Sequence, residues 1–257
     1  MKFALSEKEI QRYGRQLLIP EIGGAGQEKL KKASVLVVGT GGLGSAIAYY
    51  LAAAGVGRIG IVDGDRVDLS NLQRQILHFT PDIGRPKVES AREKLQALNP
   101  EIEIVPYYCR LEEGNAEEIV RDYQVVVDGS DNFPTRYLIN ETCLKLRRPF
   151  IHGGVLGLKG QVMTIMPYDG PCYRCVFRDI PAPEEVPSCA QAGVLGTVPG
   201  LIGMIEATEA IKIILGVGEL LVGRLLQYDA LTMRFREIEL ERDEECPACG
   251  QKIISQG

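Results

Sequence analysis

The chain has 257 residues, of which 45% are hydrophobic and 25% charged, the composition of a globular protein able to bury a sizeable core. A formal net charge of −5 and the lack of a long basic run exclude a general nucleic-acid binder, though not a small cationic pocket. Ser6, Glu7, Lys8 and Glu9 break the apolar stretch that a signal peptide requires, so the cytoplasm is the expected compartment.

In chain order, residues 6–32 read as helical and charged. A strand at 35–38 leads into a glycine turn and a helix to about residue 54, and GRIGIVD (57–63) reads as a second strand. The next stretch, GDRVDLSNLQRQILHFTPDIGRPK, lacks periodicity and is too long for an idle connection. A helix over 86–98, the strand EIEIVPYY, a helix over 115–123, the buried strand in QVVVDGSDN, a helix over 134–146 and the strand in PFIHGGV follow. This alternation predicts an open, doubly wound sheet. Beyond residue 157 the pattern becomes antiparallel: LKGQVMTIMPYDG runs into CYRC, and a hairpin in GRLLQYDALTMRFREIELE delivers CPAC. Between them, RDIPAPEEVPSCAQAGVLG reads as a crossover segment. In the 197–215 helix, Glu206, Glu209 and Lys212 share one side, which fits a core-packed amphipathic helix better than a membrane span.

Gly39, Gly41 and Gly44 form G-x-G-x-x-G between strand and helix. In that context Gly39 serves the tight turn, Gly41 lets backbone approach a phosphate, and Gly44 lets helix and strand pack closely. Asp63, at the end of the second strand, suits ribose hydroxyls. The loop alone leaves open a dinucleotide, another nucleotide or no ligand. Asn71, Arg74 and Lys87 just beyond it are groups able to meet phosphate oxygens, which favours nucleotidyl or phosphoryl transfer over hydride transfer. In DGSDN, Asp131 reads either as a helix cap or as a Mg²⁺ ligand for a triphosphate. The two histidines, His78 and His152, read as structural, in keeping with a reaction whose carboxylate nucleophile is already ionised. Cys172, Cys175, Cys246 and Cys249 form two C-x-x-C clips that can close a structural four-cysteine zinc site; a redox pair is the alternative. Cys109 and Cys143 read as ordinary buried thiols.

The motifs RYGRQ, GTGGLGS, DGDRVDLSNLQRQ, GRPKVESA, DGSDNFPTRYLIN, GGVLGLKGQV, CYRC, SCAQAGVLG and CPACG, in this order over nearly the whole chain, resemble the E1-like ThiF/MoeB/HesA adenylyltransferases. The resemblance implies a Rossmann-like, mostly parallel α/β sheet with an antiparallel extension, N-terminal helices and a zinc subsite of four cysteines. It implies one adenylation domain over 1–257, divided into a helical segment (1–32), a nucleotide-binding core (33–156) and a carrier-binding, zinc-bearing part (157–257). No rhodanese domain is expected, so sulfur would come from a separate donor. The implied activity is MgATP-dependent adenylation of the C-terminal glycine of a ubiquitin-like sulfur carrier of the MoaD/ThiS type, by a homodimer. Asp63 would hold the ribose, Arg74 and Lys87 the phosphates, and Asp131 magnesium, with Gly42, Asp65 and Asn132 also lining the nucleotide site. Arg15 would reach the triphosphate of the neighbouring subunit, and Cys189 is either a covalent sulfur-transfer thiol or a passive residue. An NAD-dependent oxidoreductase and a non-catalytic zinc-stabilised scaffold are the competing readings.

Overall fold

The apolar runs SVLVV, RIGIV and VVVD are buried at nearly every position, as strands covered on both faces must be. The computed structural model describes residues 5–180 and 192–250. Strands β1 (Ser34–Val38), β2 (Arg58–Val62), β3 (Glu103–Tyr107), β4 (Val125–Asp128) and β5 (Phe150–Leu156) are mutually parallel. Strands β6 (Lys159–Ile165), β7 (Arg224–Asp229) and β8 (Arg234–Glu239) continue the same sheet antiparallel. The order is β3-β2-β1-β4-β5-β6-β7-β8. The chain therefore winds outward in opposite directions from β1 and β4, and a crevice opens at their carboxyl ends.

Side-chain alternation sends Val35 and Val37 to one core and Leu36 and Val38 to the other. The first core lies under α4 (Gly42–Ala54), α5 (Lys87–Leu98) and the long helix Thr197–Leu215; the second lies under α6 (Ala116–Val120), α7 (Phe133–Leu146) and the cysteine knuckle. Helices α1 (Glu7–Arg12), α2 (Gly14–Leu17) and α3 (Gly23–Lys32) pack at the carboxyl end of α4. There Tyr13 lies against Gly55, Asn99 Nδ2 donates to Tyr13 Oη at 2.8 Å, and Gln16 and Gln27 donate to Ala54 O. The long 64–87 connection is held by two short 3-10 turns, Leu69–Asn71 and Thr80–Asp82, with buried Asp82 paired to Arg85 and Lys94.

The charged side of Thr197–Leu215 does not face water. The helix is wedged between α4 and the sheet, so Glu206 and Glu209 are both buried. Glu209 is satisfied there: its Oε2 accepts from Thr164 Oγ1 at 2.6 Å and Leu221 N at 2.8 Å, and its Oε1 pairs with Lys212. Against Gly153, both oxygens of Glu206 lack a hydrogen-bond partner among the described residues, and burial raises its pKa well above the ordinary carboxylate range.

Candidate functional site

At the crevice, a cavity of about 420 Å³ collects the ends of β1 and β2, Val155 of β5 and the segments that follow β1, β2, β3 and β4. Gly39 takes φ 89°, and a Cβ there would lie 2.6 Å from Gly129 O, so only glycine makes this turn. Gly41 is the N-cap of α4 and offers no capping side chain, which leaves the first helical N–H groups to an incoming anion. Gly44 backs the loop and is absent from the cavity lining; a Cβ there would overlap Gly39 O.

Asp63 binds the loop from the neighbouring strand. Its Oδ2 accepts from Thr40 N at 2.9 Å and Thr40 Oγ1 at 3.0 Å, and its Oδ1 accepts from Asp65 N at 2.9 Å. Two carboxylate oxygens offer about four acceptor positions, so room for one further donor remains. Buried Lys87, the first residue of α5, reaches Asp65 Oδ2 at 3.1 Å, while Arg74 donates to Ser70 O at 3.1 Å and lines the same cavity. Asn71 is not in the cavity lining. Its Oδ1 accepts from Asp68 N at 3.1 Å and closes the first 3-10 turn, a local bond that uses the amide oxygen and not the Nδ2 donors a phosphate would need. His78 is buried between Thr40 O and Ser90 Oγ, and desolvation lowers its pKa, so a neutral imidazole braces the glycine loop from behind.

At the end of β4, Asp128 is buried and Asp131 is exposed on the cavity wall. The cap of α7 is Asn132, whose side chain accepts from Thr135 N at 3.0 Å, so Asp131 does not serve as the cap. Cavity-lining residues to which the sequence assigns no individual role include Gln75 and Arg136, which lie inside the quoted motifs, and the 109–112 stretch beyond β3. The strand-end rule points to the last of these, but nothing local singles out Gln75 or Arg136. Cys109 is half-buried and lines the cavity, in contrast to Cys143, which is fully buried as expected; burial raises the pKa of both thiols.

Arg15 lies on α2, at the opposite end of α4 from Gly41. Thirteen residues at 1.5 Å each separate the two ends by about 20 Å, so the side chain cannot serve its own cavity. Cys189 falls outside the described residues. The four knuckle cysteines converge: Cys172 Sγ is 3.6 Å from Cys246 Sγ and 3.8 Å from Cys175 Sγ, and Cys175 Sγ is 3.4 Å from Cys249 Sγ. Four sulfurs at the tetrahedral zinc distance stand about 3.8 Å apart, so this set can hold a metal. The knuckle is tied to α7 through Asn140, which accepts from Tyr173 N at 3.0 Å.

Comparison with known proteins agrees with this geometry. The ThiF family model matches residues 13–248. A sulfur carrier protein adenylyltransferase of Thermus thermophilus is 49% identical over 252 residues, covering 96% of this chain and 93% of that protein. A SAMP-activating enzyme E1 of Haloferax volcanii is 47% identical over 251 residues, covering 98% and 93%. The adenylyltransferase and sulfurtransferase MOCS3 of Sus scrofa is 50% identical over 252 residues, covering 98% of this chain but 55% of that protein. Among solved structures, E. coli MccB with MccA-N7isoASN superposes with a TM-score of 0.84 at 22% identity, over 96% of this chain and 76% of that one. PaaA gives 0.80 at 25% identity, over 93% and 86%. At such identities the likeness is one of fold.

Proposed function

Because this chain belongs to the ThiF family, we propose that it is a sulfur-carrier protein adenylyltransferase, a nucleotidyltransferase that activates the C-terminal glycine of a ubiquitin-like carrier with ATP. The observation that carries this reading is one cavity combining the open amino end of α4, the Asp63 carboxylate, the cations Lys87 and Arg74, and the exposed Asp131. The NAD-dependent reading is not favoured, since the names of the relatives are those of adenylyltransferases and an activating enzyme.

The carrier's terminal carboxylate is ionised at neutral pH, so the reaction needs alignment and charge neutralisation more than a base. Its oxygen attacks the α-phosphorus of ATP, the bond to the bridging oxygen of the β-phosphate breaks, and pyrophosphate departs with the electron pair. Asp63 receives a ribose hydroxyl at its remaining acceptor position. The N–H groups beyond Gly41, together with Lys87 and Arg74, hold phosphate oxygens and neutralise the charge that grows on the leaving group. Asp131 is the carboxylate placed to hold Mg²⁺, which supplies further neutralisation of the phosphates when bound. Arg15 contributes from the partner protomer of a homodimer, a reading supported by its distance of about 20 Å from its own cavity. Cys172, Cys175, Cys246 and Cys249 would hold Zn²⁺, which would tie the C-terminal hairpin to α7 and, with four thiolate ligands, would serve structure and not the chemistry. A sulfur nucleophile from a separate donor then attacks the acyl carbon of the adenylate, forming the C–S bond as the C–O bond breaks and AMP departs. The assignment places the enzyme in the cytoplasm, and no helix among the described residues is long and apolar enough to cross a membrane.

The test is Mg²⁺-dependent ATP–pyrophosphate exchange in the presence of carriers ending in Gly-Gly. Exchange that requires such a carrier supports the reading; no exchange with any of them refutes it. Asp131→Ala should abolish exchange, and Cys189→Ala should leave it largely intact.

A further inference from the structure

His152 is one of two histidines in the chain, and it lies in none of the phosphate- or ribose-facing positions. It is fully buried on β5, directly beside Asp128 in the sheet register. Its Nδ1 is 3.0 Å from Asp128 Oδ2. An ionised carboxylate only accepts, so Nδ1 carries the proton and donates it. Nε2 is then the acceptor, and Gln161 Nε2 stands 3.4 Å away to donate to it. The ring is clamped in orientation by Tyr173, whose ring meets it edge to face at 4.7 Å between centroids.

The other oxygen of Asp128 is spent on the turn ahead of it. Oδ1 accepts from Ser130 N at 2.9 Å and Ser130 Oγ at 2.5 Å, and Ser130 is bonded in sequence to Asp131. Arg136 Nη2 donates to Ser130 O at 3.1 Å and finishes the turn from the α7 side. The conformation that presents Asp131 to the cavity thus rests on one buried carboxylate; Arg136 Nε stands 3.4 Å from its Oδ2, and His152 makes the shorter contact that helps fix the carboxylate's plane.

We propose that His152 is a positioning residue: through Asp128 and Ser130 it sets the geometry with which Asp131 meets a magnesium–nucleotide complex. The proposal rests on the reading of Asp131 as the magnesium-holding carboxylate. A donor bonded directly to a metal-ligating group is worth about 10- to 100-fold in metal affinity, and His152 acts at a further remove, so the low end of that range is the effect expected of it.

The experiment is calorimetric binding of α,β-methylene-ATP to the full chain across a Mg²⁺ series, with thermal melting alongside. Leucine and asparagine have similar shapes, but the asparagine amide places a donor where Nδ1 stands. His152→Leu should raise the Mg²⁺ concentration for half-maximal binding about tenfold, with binding in the absence of Mg²⁺ held within about twofold. His152→Asn should restore most of that affinity, although the two variants melt alike. Equal shifts in both, or a shift below about twofold in His152→Leu, overturn the proposal. Should His152→Leu not fold, Gln161→Met, which removes only the donor to Nε2, must shift the Mg²⁺ requirement in the same direction, and no shift overturns it. Wild-type binding that ignores Mg²⁺ overturns the reading of Asp131 and the proposal with it.

Discussion

Lys87 Nζ lies 3.1 Å from Asp65 Oδ2, and the two sit very differently: the lysine is buried and the aspartate side chain is 57% exposed. The pair spans the cavity wall, with its cation fixed inside and its anion free to swing into solvent. A phosphate entering at the amino end of α4 can therefore take over the lysine at little cost, because an exposed partner contributes little. Lys87→Met keeps the length and apolar stem of the side chain and removes the charge. It should lower kcat/KM for ATP–pyrophosphate exchange by about 100-fold, the scale of one lost charge-stabilising donor, and change the melting temperature only slightly. A variant that exchanges at the wild-type rate would mean that Lys87 serves the fold alone.

Glu206 makes a separate claim about pH. Its folded-state pKa is raised from the ordinary 4.5 by burial, so the folded chain retains a proton that the unfolded chain releases. Stability is then full below about pH 4.5 and declines as pH rises above it, by at most about 1.4 kcal/mol per pH unit, until the folded group itself ionises. Glu206→Gln is isosteric and cannot ionise. Urea denaturation from pH 5 to 8 should show the variant gaining on the wild type as pH increases; parallel curves would place a partner on Glu206.

Gly44 faces the carbonyl of Gly39 so closely that no side chain fits between α4 and β1. Gly44→Ala must push helix and loop apart. The expected outcome is a loss of about 1–3 kcal/mol in chemical denaturation, with nucleotide affinity falling further than stability, because the same shift moves the N–H groups beyond Gly41. Calorimetry at a temperature where the variant is folded separates the two effects.

The cysteine knuckle joins β8 and the chain beyond it to α7 through residues 74 positions apart in sequence. Removal of the zinc proposed for it should lower the melting temperature and free the C-terminal hairpin for proteolysis, while the 33–156 core keeps its nucleotide affinity within a few-fold. Elemental analysis before and after chelation should report one zinc per chain lost. Unchanged melting after complete removal would remove the metal's structural role.

The strands, the glycine loop and the two cysteine clips were readable because each depends on local chemistry. Short continuous runs of Val, Leu and Ile, glycine where φ is positive, and paired thiols are short-range signals, and the β1–α4–β2 unit appears where those signals put it. The 197–215 helix was equally legible in extent but not in environment. Its acidic residues look like a solvated side until α4 closes over them. Asn71 shows the converse: its oxygen closes a capping box with Asp68 N and it stands outside the cavity lining, whereas Gln75 and Arg136 line the wall.

Residue types and order alone determined that this chain folds as a nucleotide-binding α/β sheet, carries a four-cysteine clip and belongs with the adenylating enzymes. Tertiary structure decided which charges face the cavity and which are consumed in holding it. Asp63 and Asp128 are bound into loops, Asp131 is left free, and Arg15 is stranded about 20 Å from its own site. The reason is that a side chain's chemistry is local, whereas its partners are set by which strand ends the sheet order brings together, and no spacing along the chain encodes that distance.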